Sequence, residues 1–230
     1  MMSLSLMVPV SLMLAVWNRA SLRFAAGPET DPGLIGAALS SLAGSMGVLV
    51  VIRFAPVPVP IETELALCLF GALLLITGWT DHRTAWAPDG VVVPLLVCGA
   101  LSASLIGPFL VGPLTAFAIA ALIFCAAQGG WALQGISGRR VLPPPDLIAL
   151  SLPVLLFGLT PYTFLTYLLL SGLLILVLRA PDPLYRIIRG PAATDAVEEA
   201  GLTGSGRSAP FLPMSLGALY GVLLMRLFQG

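Results

Sequence analysis

Long apolar runs alternate with short polar connections along the whole chain. A membrane-spanning helix needs about 20 mostly apolar residues, and a range near 17–25 is usual. On that measure the pattern predicts spans at 2–17, 33–52, 61–79, 90–106, 109–128, 146–160, 162–178 and 210–228. The first and sixth are short; Pro153 interrupts the sixth and Thr160-Pro161 ends it. The polar connections fall at 18–32, 53–60, 80–89, 107–108, 129–145, a tight turn at 161, and 179–209. The last is the only sizeable water-exposed loop; it carries Arg186, Arg189, Asp195, Glu198 and Glu199 and ends in a Gly/Ser stretch that reads as flexible. The predicted fold class is therefore all-α: a polytopic membrane helical bundle of about eight transmembrane helices, with residues 1–60 forming a two-helix segment ahead of a larger unit at 61–230.

Composition strengthens this reading. Of 230 residues, 58% are hydrophobic and only 10% charged. A soluble domain carries roughly 25% charged residues, so lipid must cover much of this chain. The 24 Gly and 20 Pro are tolerated within apolar runs because membrane helices accept both. Net charge is zero, which gives no basic patch and no expectation of a nucleic-acid partner. All eleven basic residues are Arg. Cys68, Cys98 and Cys125 each lie in an apolar run with no C-x-x-C spacing, so they read as small buried hydrophobes and not as zinc ligands. No positive charge precedes the first run, and Arg19 follows it; that order is wrong for a secretory signal, so the segment reads as an uncleaved first helix.

The arginines also orient the chain. With the N-terminus outside, the inner loops hold nine (19, 23, 83, 139, 140, 179, 186, 189 and 207) and the outer regions two (53 and 226). Such an excess is the positive-inside bias. No internal repeat suggests a transporter-type duplication.

Among the eleven acids, Glu29, Asp31, Glu62, Glu64, Asp182, Asp195, Glu198 and Glu199 read as solvated loop or interface charges. Asp81, Asp89 and Asp146 differ: in the predicted topology all three lie at the cytoplasmic edge, Asp81 closing the third span, Asp89 opening the fourth and Asp146 opening the sixth. Two facing carboxyl groups that share a proton can activate water: the ionised one draws a proton from the water, and the protonated one stabilises the oxyanion. The alternative is that each caps a helix or pairs with Arg83, Arg139 or Arg140.

The stretch DHRTAWAPD at 81–89, followed by apolar GVVVPLL, resembles the first catalytic motif of the type IV prepilin peptidases. Asp81, Arg83, Thr84 and Pro88 match that motif; Ala87 stands where a larger aliphatic is usual and Asp89 where Asn is usual. PFLPMSLG at 210–217 resembles the family's C-terminal Pro-Phe-Gly-Pro stretch, with Leu212 in place of Gly. The second catalytic motif, Gly-x-Gly-Asp-x-Lys, corresponds to PPPDLI: Asp146 is retained, Pro143 and Pro145 replace both glycines, and Ile148 replaces Lys. Glycine permits positive φ and close approach of a substrate strand, whereas proline fixes φ near −65°, so the loop before Asp146 is expected to follow an extended path.

The resemblance implies a membrane aspartic endopeptidase of the bacterial inner membrane, with Asp81 and Asp146 catalytic and Arg83, Thr84, Pro88 and Asp89 supporting. It implies cleavage of the leader of a prepilin or pseudopilin at the cytoplasmic face, with no metal or cofactor. The partners would be that substrate, the lipid bilayer and pilus or secretion assembly proteins. Family members that N-methylate their product carry a cytoplasmic insert with paired cysteines after the first helix; residues 18–32 have no Cys, so neither that activity nor zinc is expected. The Pro-Pro-Pro change leaves two outcomes open, an enzyme with an altered clamp or an inactive relative serving as a membrane scaffold. An unrelated transporter is the third reading. His82, the sole histidine, reads as an interface residue; Trp79, Trp86 and Trp131 read as bilayer-edge anchors, and Gly129-Gly130 as a hinge in the loop before Asp146.

Overall fold

A computed structural model describes residues 4–54, 59–84, 86–106, 112–136, 143–157 and 211–229. The described residues form seven helices and no strand: α1 (Leu4–Ala26), α2 (Leu34–Phe54), α3 (Ile61–Thr84), α4 (Asp89–Ile106), α5 (Pro113–Ile136), α6 (Pro144–Phe157) and α7 (Phe211–Gln229). Three of them, α2, α3 and α5, are long and apolar enough to cross a membrane; Asp89–Leu105 and Ser215–Met225 are shorter apolar stretches. The predicted seventh span, 162–178, and the loop at 179–209 lie outside the described residues.

Helix α3 is the hub. It packs against α1, α2, α4 and α7, and buries Leu67, Phe70, Leu74 and Ile76 completely. Helix α6 packs against α4, α5 and α7. The bundle is apolar outside as well as inside: Met13 on α1 and Leu114, Leu122, Leu133 and Ile136 on α5 are exposed. Water would penalise that surface and lipid does not, so it is compatible with membrane insertion. Close packing inside comes from small residues. A β-carbon at Gly44 would run into the backbone carbonyl of Gly71, so α2 and α3 touch backbone to backbone. Tyr220 of α7 closes this crossing by donating its hydroxyl to the Gly44 carbonyl at 2.8 Å.

Three helices outrun their hydrophobic segments. Helix α1 continues to Ala26, so residues 18–26, expected in a polar connection, are helical. Its buried stripe Met7, Ser11, Ala15, Asn18 and Leu22 keeps helical spacing past the end of the apolar run, while Arg19 and Arg23 reach outward to Asp31. The helix ends where Gly27, at φ 101°, donates its N–H back to the Arg23 carbonyl at 3.1 Å, a left-handed C-terminal cap. Helix α3 runs to Thr84 instead of stopping at 79. Helix α5 runs through Gly129-Gly130 to Ile136, so the pair lies inside a helix and is not a loop hinge.

Helix α6 carries another correction. Pro144 and Pro145 form its first turn and do not take the expected extended path. The first N–H groups of a helix have no intrahelical acceptor, so proline costs nothing there and its fixed φ suits the helix. The Pro143 carbonyl accepts the first N–H groups, from Asp146 at 3.1 Å and Leu147 at 3.3 Å.

Candidate functional site

The antiparallel path of the chain decides which residues gather at one end of the bundle. The start of α2 lies beside the end of α3: Trp79 donates its indole N–H to the Pro32 carbonyl at 2.8 Å, and its ring lies against Gly36. The opposite ends of the same two helices are joined by Arg53 and Glu64 at 3.1 Å. The end of α1 joins the first group, because Trp17 donates to the Gly90 carbonyl at 2.8 Å and Asn18 donates to the Thr80 hydroxyl at 2.7 Å. At the end of α5, Gly130 faces Leu147 in the first turns of α6. One end of the bundle thus carries the end of α3 with Asp81, the start of α4 with Asp89 and the start of α6 with Asp146.

Their depths differ. Helices α3 and α6 converge on Gly99 of α4, where a β-carbon would stand 3.2 Å from Phe70 and 3.1 Å from Leu152. With a rise of about 1.5 Å per residue, Asp81 lies about 16 Å beyond Phe70, Asp89 about 15 Å before Gly99 and Asp146 about 9 Å before Leu152. Asp81 and Asp89 are therefore nearly level, and Asp146 sits roughly 7 Å deeper along the bundle axis. Exposure groups them differently: Asp89 is exposed, whereas Asp81 and Asp146 are half-buried.

The residues around Asp81 build a firm corner. The Thr84 hydroxyl donates to the Thr80 carbonyl at 2.8 Å and accepts the Trp86 N–H at 3.3 Å, which ends α3 and starts the turn. Pro88 is buried, and its carbonyl accepts the N–H groups of Val91 at 2.9 Å and Val92 at 3.1 Å, which starts α4. The Arg83 guanidinium stands over the Trp79 ring at 5.9 Å, within cation–π range. Thr84, Pro88 and Arg83 therefore shape the corner that presents Asp81. Trp79 ties this corner to α2, and Trp86 is exposed. In α6, Ile148 is buried at 2% exposure in the core, at the position where the resemblance expects a lysine.

Sequence reasoning missed Asn18, which is wholly buried at the same end and bonded to the residue before Asp81. Its spacing of seven from Ser11 and four before Leu22 was the available signal. Glu64, expected to be a solvated loop or interface charge, is 4% exposed and paired with Arg53 across the α2–α3 end, so it is not solvated. Of the cysteines, Cys68 is buried, Cys98 half-buried and Cys125 exposed on the outer side of α5.

Comparison of the chain with protein-family models, with curated proteins and with solved structures finds no match.

Proposed function

We propose that the chain is a multi-pass membrane aspartic endopeptidase of the prepilin leader peptidase type. It would span the bilayer about eight times with the N-terminus outside and cut a prepilin or pseudopilin leader at the cytoplasmic face. The observation that carries this reading is that Asp81 and Asp146, 65 residues apart in sequence, share one end of the bundle, each in a terminal turn of a helix and each half-buried. The ionised carboxylate takes a proton from water as the oxygen attacks the scissile carbonyl. The protonated one donates a hydrogen bond to the oxyanion. Collapse of the tetrahedral intermediate breaks the C–N bond and passes a proton to the leaving amine. Sharing one water requires the α3 end and the α6 start to close their axial offset as substrate binds.

The test is cleavage of a prepilin by protein purified in detergent or reconstituted in vesicles. Asp81→Asn and Asp146→Asn are each expected to lower the rate by at least about 10³-fold while the variants still accumulate in the membrane. Normal processing by the double variant would sink the reading.

One observation favours a second reading, a non-catalytic membrane scaffold of a pilus or secretion apparatus. Ile148 fills the core where the resemblance expects a lysine, and proline replaces both glycines beside Asp146. A scaffold would cleave no supplied prepilin yet would co-purify with assembly proteins.

A further inference from the structure

Helix α4 has a gap in its own hydrogen bonding. Pro94 lies inside it and has no N–H, so the carbonyl of Gly90, four residues earlier, loses its regular helical donor. Helix α1 supplies one: the Trp17 indole N–H reaches that carbonyl at 2.8 Å. The approach is close because residue 90 has no side chain. A β-carbon there would run into the Ser21 side chain of α1. The residue after Trp17, Asn18, is wholly buried and donates to the Thr80 hydroxyl at 2.7 Å.

Thr80 and Gly90 bracket the corner that carries Asp81 and Asp89. One is the residue before Asp81 near the end of α3, and the other is the second residue of α4. Helix ends are weakly held by their own helices, because their terminal backbone groups lack intrahelical partners. Trp17, Asn18 and Ser21, within two turns of α1, therefore hold both sides of this corner at once. Asp146 belongs to α6, which packs against α4, α5 and α7, so α1 braces the Asp81 side of the pair.

We propose that Trp17 and Asn18 are positioning residues for Asp81: the end of α1 is a strap that fixes the α3–α4 corner relative to the start of α6. This role rests on the peptidase reading. Both side chains act through the groups they hold, Gly90 and Thr80, and a misplacement of about 1 Å at a reacting group can cost about 10²-fold in rate. Loss of the strap therefore slows turnover. The Trp17 bond matters because of Pro94, since without it the Gly90 carbonyl is stranded.

The test is prepilin cleavage by the full chain reconstituted in vesicles, with rates expressed per folded protein. Trp17→Phe keeps an aromatic ring and removes the N–H; Asn18→Leu keeps the volume and removes the amide. Each is expected to lower kcat by about 10- to 100-fold with KM changed less than about twofold. Val48→Ala, a cavity in the α2–α3 core away from this corner, should lower Tm and leave kcat unchanged. An unaltered kcat in both strap variants, or an equal fall in Val48→Ala, overturns the positioning role while cleavage by the unaltered chain leaves the peptidase reading standing. If the unaltered chain cleaves no prepilin, the peptidase reading fails and the positioning role falls with it. Thermal unfolding checks the link to Pro94. Trp17→Phe should lower Tm by about 2–4 °C in the native chain and by clearly less beside Pro94→Ala, whose new N–H serves the Gly90 carbonyl. Equal losses in the two backgrounds overturn the role of Trp17 as its donor.

Discussion

Asn18 and Glu64 show how little a residue's type says about its setting in this chain. Each sits beside arginine or loop sequence, each is polar, and each is buried against another helix. Glu64 is held by Arg53, whose own side chain is 36% exposed, so the pair straddles the boundary of the bundle. Removing the arginine takes the facing cation from a carboxylate that is 4% exposed, which costs more than the pair itself contributes. Arg53→Ala should therefore destabilise the protein by about 2–4 kcal/mol, whereas neutralising both with Arg53→Met/Glu64→Gln should cost clearly less. Thermal unfolding in detergent decides the matter, and equal losses in the two variants would contradict it. Asp81 and Asp146 stand out in the sequence only through their motif-like surroundings. Asn18 was hidden because its neighbours Arg19 and Arg23 make the segment look like a loop.

The existence of the helices followed from apolar run length, but their ends did not. Helices α1, α3 and α5 each continue beyond the apolar run because a helix can bury one stripe and leave arginine or glutamine on the other. At α6 the Pro-Pro-Pro stretch predicts an extended loop before Asp146, yet Pro144 and Pro145 lie in the helix's first turn, where proline is favoured because its fixed φ lowers the entropy of the unfolded chain. Replacing Pro143 and Pro145 together by Gly is thus expected to lower stability by about 1–2 kcal/mol. A shift of the unfolding midpoint upward would show that the prolines strain the helix start.

At the scale of the whole molecule, the proposed orientation rests on the arginine distribution alone, and the end carrying Asp81 is also the end of Arg19, Arg23 and Arg83. Membrane-impermeant thiol labelling tests it on a background freed of native cysteines. Glu62→Cys should react in intact cells, and Trp86→Cys only after permeabilisation. The reverse pattern would invert the topology and remove Asp81 from the cytoplasmic side.

Local chemistry sufficed for the sequence to dictate an all-helical chain with an apolar exterior, because backbone groups in lipid must bond within their own segment. It also dictated that three aspartates stand at helix ends, since charge is excluded from the middle of an apolar run. Tertiary packing alone decided that α3 is the hub, that Asn18 and Glu64 are interior, and that Asp146 lies deeper than Asp81 and Asp89. Those properties depend on the rotation and axial register of one helix against another, and they are fixed by distant contacts such as Gly44 on Gly71 and Phe70 and Leu152 on Gly99.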